Sequence, residues 1–243
     1  MQKLRALVLS IQVFLAPKRA LITKLFFAME LLLVTFFILI LCTAGQVYDA
    51  YFTEIYFVGS KLGIVALGLF CLTLLPGIIT RLQWFPLVTQ PIASILLPHR
   101  RHLGILMFLT AWVHMALSTT LPQLTSNGFD LSKIQLSTFE IFGQLAWWLL
   151  LPLWLSSNDF SQKKLGKNWK KLHMLTYAAL FLIFFHVALQ NSGFVFLLGS
   201  VGILELISWI AVWKRTQTPP VVLARPQPMA AEISVPRSSN PPV

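Results

Sequence analysis

The segment KLGKNWKKLHMLTYAALFLIFFHVAL, residues 164–189, runs from a lysine-rich stretch into an apolar one without a break and carries His173 and His186 thirteen residues apart. About 20 mostly apolar residues suffice for a helix to cross a hydrocarbon layer of ~30 Å. The second half of the segment therefore reads as a lipid-buried helix, and its lysines mark the end that faces water. A polar ring at such depth must find a partner, so intramembrane histidines are functional candidates by default.

The rest of the chain has the same character. Of its 243 residues 56% are hydrophobic and 11% charged, with a mean hydropathy of +0.74. That excludes a soluble domain with a polar shell. The apolar runs are continuous rather than alternating, which excludes a β-barrel. The fold class is an all-α integral membrane protein, a six-helix bundle with spans predicted near residues 21–45, 58–80, 101–120, 138–156, 171–190 and 194–213. Residues 1–16, MQKLRALVLSIQVFLA, imitate a signal peptide, but Pro17, Lys18 and Arg19 stand where a small-residue cleavage site belongs. Too short to span, this stretch is expected to lie in the interface as an amphipathic helix. Residues 214–243 are proline-rich and lack apolar periodicity, so a disordered tail is expected. The domain reading is 1–20 interfacial segment, 21–213 transmembrane domain and 214–243 tail.

The net charge of +11 sits at the ends of apolar runs, where it meets the anionic headgroups of a lipid bilayer rather than nucleic acid. Lys3, Arg5, Lys18, Arg19 and Lys24 flank the first span. Arg81, Arg100 and Arg101 flank the second connection, Lys163, Lys164, Lys167, Lys170 and Lys171 the fourth, and Lys214, Arg215, Arg225 and Arg237 the tail. Lys61 and Lys133 are left for the other side, so the positive-inside rule makes both termini cytoplasmic, in a bacterial-type inner membrane or a thylakoid membrane. Trp84, Trp154, Trp169 and Trp213 fall near cytoplasmic ends, as interfacial anchors do. Trp112, Trp147 and Trp148 lie deeper and read as packing aromatics ahead of an electron relay. Cys42 and Cys71 lie in apolar runs and are expected to pack as buried small hydrophobes. No glycine-rich phosphate loop is present, so the chain carries no nicotinamide or Rossmann-type flavin domain of its own.

His99, His102, His114, His173 and His186 are all on, or at the cytoplasmic entry of, the third and fifth spans. At ~1.5 Å per residue, His102 to His114 covers ~18 Å and His173 to His186 ~20 Å. Both helices start inside, so the rings form two layers: His102 or His99 with His173, and His114 with His186. Two imidazoles at one depth are what a bis-histidine heme requires, with an apolar slot between helices for the porphyrin. Helix–helix hydrogen bonds and a proton relay are the alternatives. A separation of thirteen also sets two rings ~140° apart around an ideal helix.

RRHLGILMFLTAWVH (100–114) followed by LGKNWKKLHMLTYAALFLIFFH (165–186) resembles the ferric reductase-like transmembrane family, as does LTLLPGIITRL (72–82). Within it the chain looks most like the heme-binding membrane subunits that serve a periplasmic methionine sulfoxide reductase. The likeness covers roughly residues 55–190. It implies six helices, b-type heme held by His114, His173 and His186, and electron passage from the cytoplasm to the outer face. The subgroup is also associated with flavin mononucleotide (FMN) or quinone, for which no motif here matches residue by residue. The wider family has its first histidine fourteen residues before the second, which falls on Arg100 here, and the subgroup has an apolar residue where His102 stands. His102 and, as the alternative, His99 straddle that place.

The expected protein is thus a b-type cytochrome with one or two hemes. Its expected axial ligands are His114, His173, His186 and His102 or His99, and Arg100, Arg101, Lys170 and Lys171 are candidates for propionate or phosphate contacts. A cytoplasmic flavin reductase or quinol would donate electrons, and a periplasmic or lumenal redox protein or ferric ion would accept them. Glu30, Glu205 and Glu140 are expected to pair near the interfaces. A metal reductase component, or a heme-free transporter or assembly factor, is the rival reading.

Overall fold

The computed structural model describes residues 2–126 and 130–217. Among them there is no strand. The helices are α1 (Gln2–Leu15), α2 (Arg19–Ala50), α3 (Phe52–Leu82), α4 (Pro86–Leu96), α5 (Arg100–Met115), α6 (Leu121–Ser126), α7 (Thr138–Leu155), α8 (Asp159–Leu165), α9 (Lys167–His173), α10 (Leu175–Leu189) and α11 (Phe194–Gln217). Six stretches are long and apolar enough to cross a membrane: Arg19–Thr43, Phe52–Leu82, Thr89–Ser126, Thr138–Leu155, Lys167–Leu189 and Phe194–Gln217. The chain is a multi-pass membrane protein. The expected tail lies outside the described residues from 218 onward, and α11 runs four residues past the predicted end of the sixth span.

Two short helices were not foreseen. Proline at its first position starts α4, which packs against α1, and Asn158 caps α8 by accepting from the Ser161 N–H at 2.7 Å. Gly166, at φ +52°, turns the chain from α8 into α9, a conformation costly for any residue with a Cβ. The third span is also not a uniform α-helix: Ala116–Thr120 form a π-helical turn directly after α5.

The core lies between two helix pairs, α5 along α3 and α10 along α7. Phe70, Leu74, Leu106, Phe108, Leu150, Ala179 and Leu198 are buried there. Phe108 is stacked between Trp154 (ring centroids 4.9 Å apart) and Trp147 (5.4 Å), with Trp112 at 6.1 Å. Trp154 is therefore a core residue, whereas Trp84 and Trp213 are exposed. By contrast, α2 lies on the outside, and none of its most apolar window is buried. Its outward Leu and Phe side chains suit lipid, which is as apolar as they are. For the same reason Cys42 on α2 is exposed rather than buried, while Cys71 on α3 is partly buried.

Candidate functional site

His114 on α5 and His186 on α10 face each other across the bundle, with ring centroids 6.4 Å apart and ring planes at 74°. Each ring is fixed by a helix of the opposite element in its pair. His114 Nδ1–H donates to the Gly59 carbonyl of α3 at 2.8 Å, and His186 Nδ1–H donates to the Phe139 carbonyl of α7 at 2.7 Å. A carbonyl only accepts, so the proton sits on Nδ1 and Nε2 carries the lone pair. The amide of Gln190 donates to His186 Nε2 at 3.3 Å, in keeping with that tautomer.

Four residues after each accepting carbonyl comes a glycine. A Cβ on Gly63 would lie 2.8 Å from His114 Cε1, and one on Gly143 would lie 2.8 Å from His186 Nδ1. Both imidazoles thus rest on bare helix backbone, one turn from the carbonyl that orients them. Reasoning from sequence missed Gly59, Gly63, Phe139 and Gly143. A glycine inside an apolar helix, where small residues mark close approach, was the available signal for three of them.

Between the rings is a cavity of about 590 Å³, within the ~300–1,000 Å³ range of cofactor and ligand sites. Its apolar depth is formed by Leu67, Phe70, Met107, Trp147, Leu150 and Ile183, and its mouth by Tyr56, Ser60, Thr119, Glu140, Gln144 and Gln190. A metal–imidazole bond of ~2 Å puts the centres of two rings on opposite sides of one metal ~6 Å apart, so the observed separation fits a shared axial pair. Among the described residues, no group of three or more His, Cys, Asp and Glu side chains is placed to hold a metal ion by itself. The donor set fits a flat cofactor with two open axial positions rather than a polydentate protein metal site.

His173, His102 and His99 have other surroundings. His173 Nε2 is 3.3 Å from Oγ of Ser156, the residue after α7, and its ring lies 4.0 Å from that of Trp169, whose indole N–H donates to the Ser156 carbonyl at 3.0 Å. His102 turns toward α2, where Nδ1 meets Glu30 Oε1 at 3.0 Å and the ring stacks on Phe26 at 5.8 Å. His99 lies against the same phenyl ring at 5.6 Å. These three do not line the large cavity. Arg101 pairs with Asp159 at 2.7 Å and bonds Gln162 at 3.2 Å, while Arg100, Lys170 and Lys171 are exposed on the same end of the bundle.

Two further carboxylates, Glu205 and Glu140, each have a partner. Glu205 on α11 is buried and paired with Arg81 of α3, which also donates to Ser208 Oγ at 2.8 Å and lies 4.8 Å from the Trp209 ring centroid. Glu140 accepts from the Ser137 backbone N–H at 2.7 Å and caps α7.

Residues 62–184, about half of the chain, match the family described as "Ferric reductase like transmembrane component". Proteins named protein-methionine-sulfoxide reductase heme-binding subunit MsrQ are similar to it. That of Brucella anthropi is 38% identical over 84 residues, which are 35% of this chain and 38% of the relative. Those of Brucella ovis and Brucella canis are 38% identical over 85 residues, 35% of this chain and 39% of theirs. The chain thus spans well under half the length of these curated relatives. No solved structure matches.

Proposed function

The chain belongs to the ferric reductase-like transmembrane family, and from that premise we propose that it is a b-type heme electron-transfer subunit of the membrane, in which His114 and His186 hold the heme iron. The close pair of rings, 6.4 Å apart with both Nδ1 protons engaged, carries this reading. Heme, when bound, supplies one-electron exchange at iron. The protein's part is to present two Nε2 lone pairs at a fixed separation, to keep water from the apolar depth of the cavity, and to set ligand basicity through the carbonyls behind each ring.

Electrons enter from the cytoplasmic side, where the lysines of α8 and α9 lie, and leave at the outer mouth. The donor is a flavin reductase or a quinol. The acceptor, on the strength of the relatives' name, is a protein-methionine-sulfoxide reductase, which this orientation sets on the outer face. Both termini are cytoplasmic, and His173, with His102 or His99, is the candidate set for a second, inner heme. The full chain purified in detergent is expected to show a reduced-minus-oxidised b-type Soret and α-band change, and His114→Ala and His186→Ala are each expected to remove the part of it that belongs to the heme held by this pair. Wild-type protein without that spectrum refutes the cytochrome reading.

A further inference from the structure

The two histidines of the cavity are held alike on one side and differently on the other. Each has a polar residue four positions later, Ser118 after His114 and Gln190 after His186. The amide of Gln190 reaches Nε2, the unprotonated nitrogen, at 3.3 Å. The hydroxyl of Ser118 reaches Nδ1 instead, at 3.3 Å, beside the Gly59 carbonyl at 2.8 Å. Since the carbonyl requires the proton on Nδ1, Ser118 Oγ accepts, and the His114 N–H is shared between two acceptors.

Local backbone geometry produces this arrangement. A serine inside an α-helix ordinarily turns its hydroxyl back to the carbonyl three or four residues earlier. Ser118, however, lies in the π-helical turn Ala116–Thr120, where the Leu121 N–H bonds to the Ala116 carbonyl five residues back. Such one-turn π segments interrupt α-helices most often at functional sites. Space for the hydroxyl comes from α3: a Cβ on Gly59 would stand 2.7 Å from Ser118 Oγ and 2.8 Å from Leu117 Cβ. Gly59 thus supplies one acceptor with its carbonyl and admits the second by having no side chain.

We infer that Ser118 is a positioning residue that makes the two axial ligands unequal and lowers the reduction potential of the heme held by His114 and His186. The inference rests on the ligand assignment proposed above. A second acceptor on Nδ1–H makes the imidazole more electron-rich at Nε2, which favours ferric over ferrous iron. Hydrogen bonding around ligands is one of the means by which a protein sets a metal site's potential. The shared, longer bond makes the effect modest.

The test is a redox titration of the detergent-purified full chain, with heme content measured first. Ser118→Ala is expected to retain heme and to raise the midpoint, shifting the ferrous-to-ferric ratio at fixed potential about threefold, ~30 mV on the 59 mV per decade of a one-electron couple. Ser118→Thr, which keeps the hydroxyl, is expected to restore the wild-type midpoint. Equal heme and equal midpoints in wild type and Ser118→Ala overturn the inference while leaving the ligand assignment standing, as does Ser118→Thr moving with Ser118→Ala. Wild-type protein without heme removes the assignment and the inference together, and the heme measurement tells the two failures apart.

Discussion

Replacing Gly143 by alanine tests the cavity at its tightest point. The new Cβ would lie 2.8 Å from His186 Nδ1 and 2.9 Å from Cε1, well inside the ~3.5–4.0 Å at which carbon contacts are most favourable. The contact is with a ring whose Nδ1 is already tied to the Phe139 carbonyl at 2.7 Å. Either the imidazole moves by about 1 Å and loses that bond, or α7 and α10 separate. Overpacking of this kind costs ~1–3 kcal/mol, and loss of the buried bond adds ~1–3 kcal/mol. Taking ~2–4 kcal/mol on the bound state, heme affinity falls ~30- to 1,000-fold. Alanine also gains ~1 kcal/mol over glycine as a helix former, which offsets part of the cost to the fold. Gly63→Ala should do the same to His114, where a Cβ would meet Cε1 at 2.8 Å. Gly68→Ala and Gly104→Ala are the controls, because a Cβ at either meets nothing within 4 Å. The assay is heme per protein after purification, with melting temperature alongside. Full heme and an unchanged spectrum in both Gly63→Ala and Gly143→Ala would refute the proposal that these glycines seat axial ligands.

Three further outcomes are expected. His102→Leu leaves Glu30 without its hydrogen-bond partner, at a cost of ~1–3 kcal/mol; the melting temperature should fall and recover when Glu30→Leu is added, and failure to recover would count against the pair. Glu205→Leu should likewise destabilise through stranded Arg81, and Arg81→Met in the same chain should restore the melting temperature measured in detergent. In a Cys42→Ala/Cys71→Ala background, cysteine placed at Lys163 should react with an impermeant thiol reagent only from the cytoplasmic side, and cysteine at Ser132 only from the outside; the opposite pattern would invert the topology.

Much of the architecture was legible because lipid imposes it. A continuous apolar run must be a helix, since no water is present to satisfy its backbone, and the run lengths gave six spans. Their ends were less legible. The helices α2 and α3 extend beyond the predicted limits, and α4 and α8 lie in connections too short and mixed in composition for a span. At the site, the rise per residue put His114 and His186 at one level, and the structure brings those rings to 6.4 Å from each other, with their planes at 74°. His173 and His102 were put at one level by the same arithmetic, yet the first meets Ser156 and Trp169 and the second meets Glu30 and Phe26.

The reason is azimuth. Depth is a property of one helix and follows from counting residues. Direction depends on which helices stand next to it, how they are turned, and where a helix is irregular. Residues twelve and thirteen apart point ~120° and ~140° from each other around an ideal helix. His102 and His114 therefore address different neighbours, α2 and α3, and a break at Met174 between α9 and α10 further separates the setting of His173 from that of His186. The sequence by itself determined a six-span membrane helix bundle and the position of each imidazole along its helix. Only the tertiary structure decided that one pair closes on a cavity, because the carbonyls of Gly59 and Phe139 and the bare backbone of Gly63 and Gly143 come from helices far from the histidines in sequence.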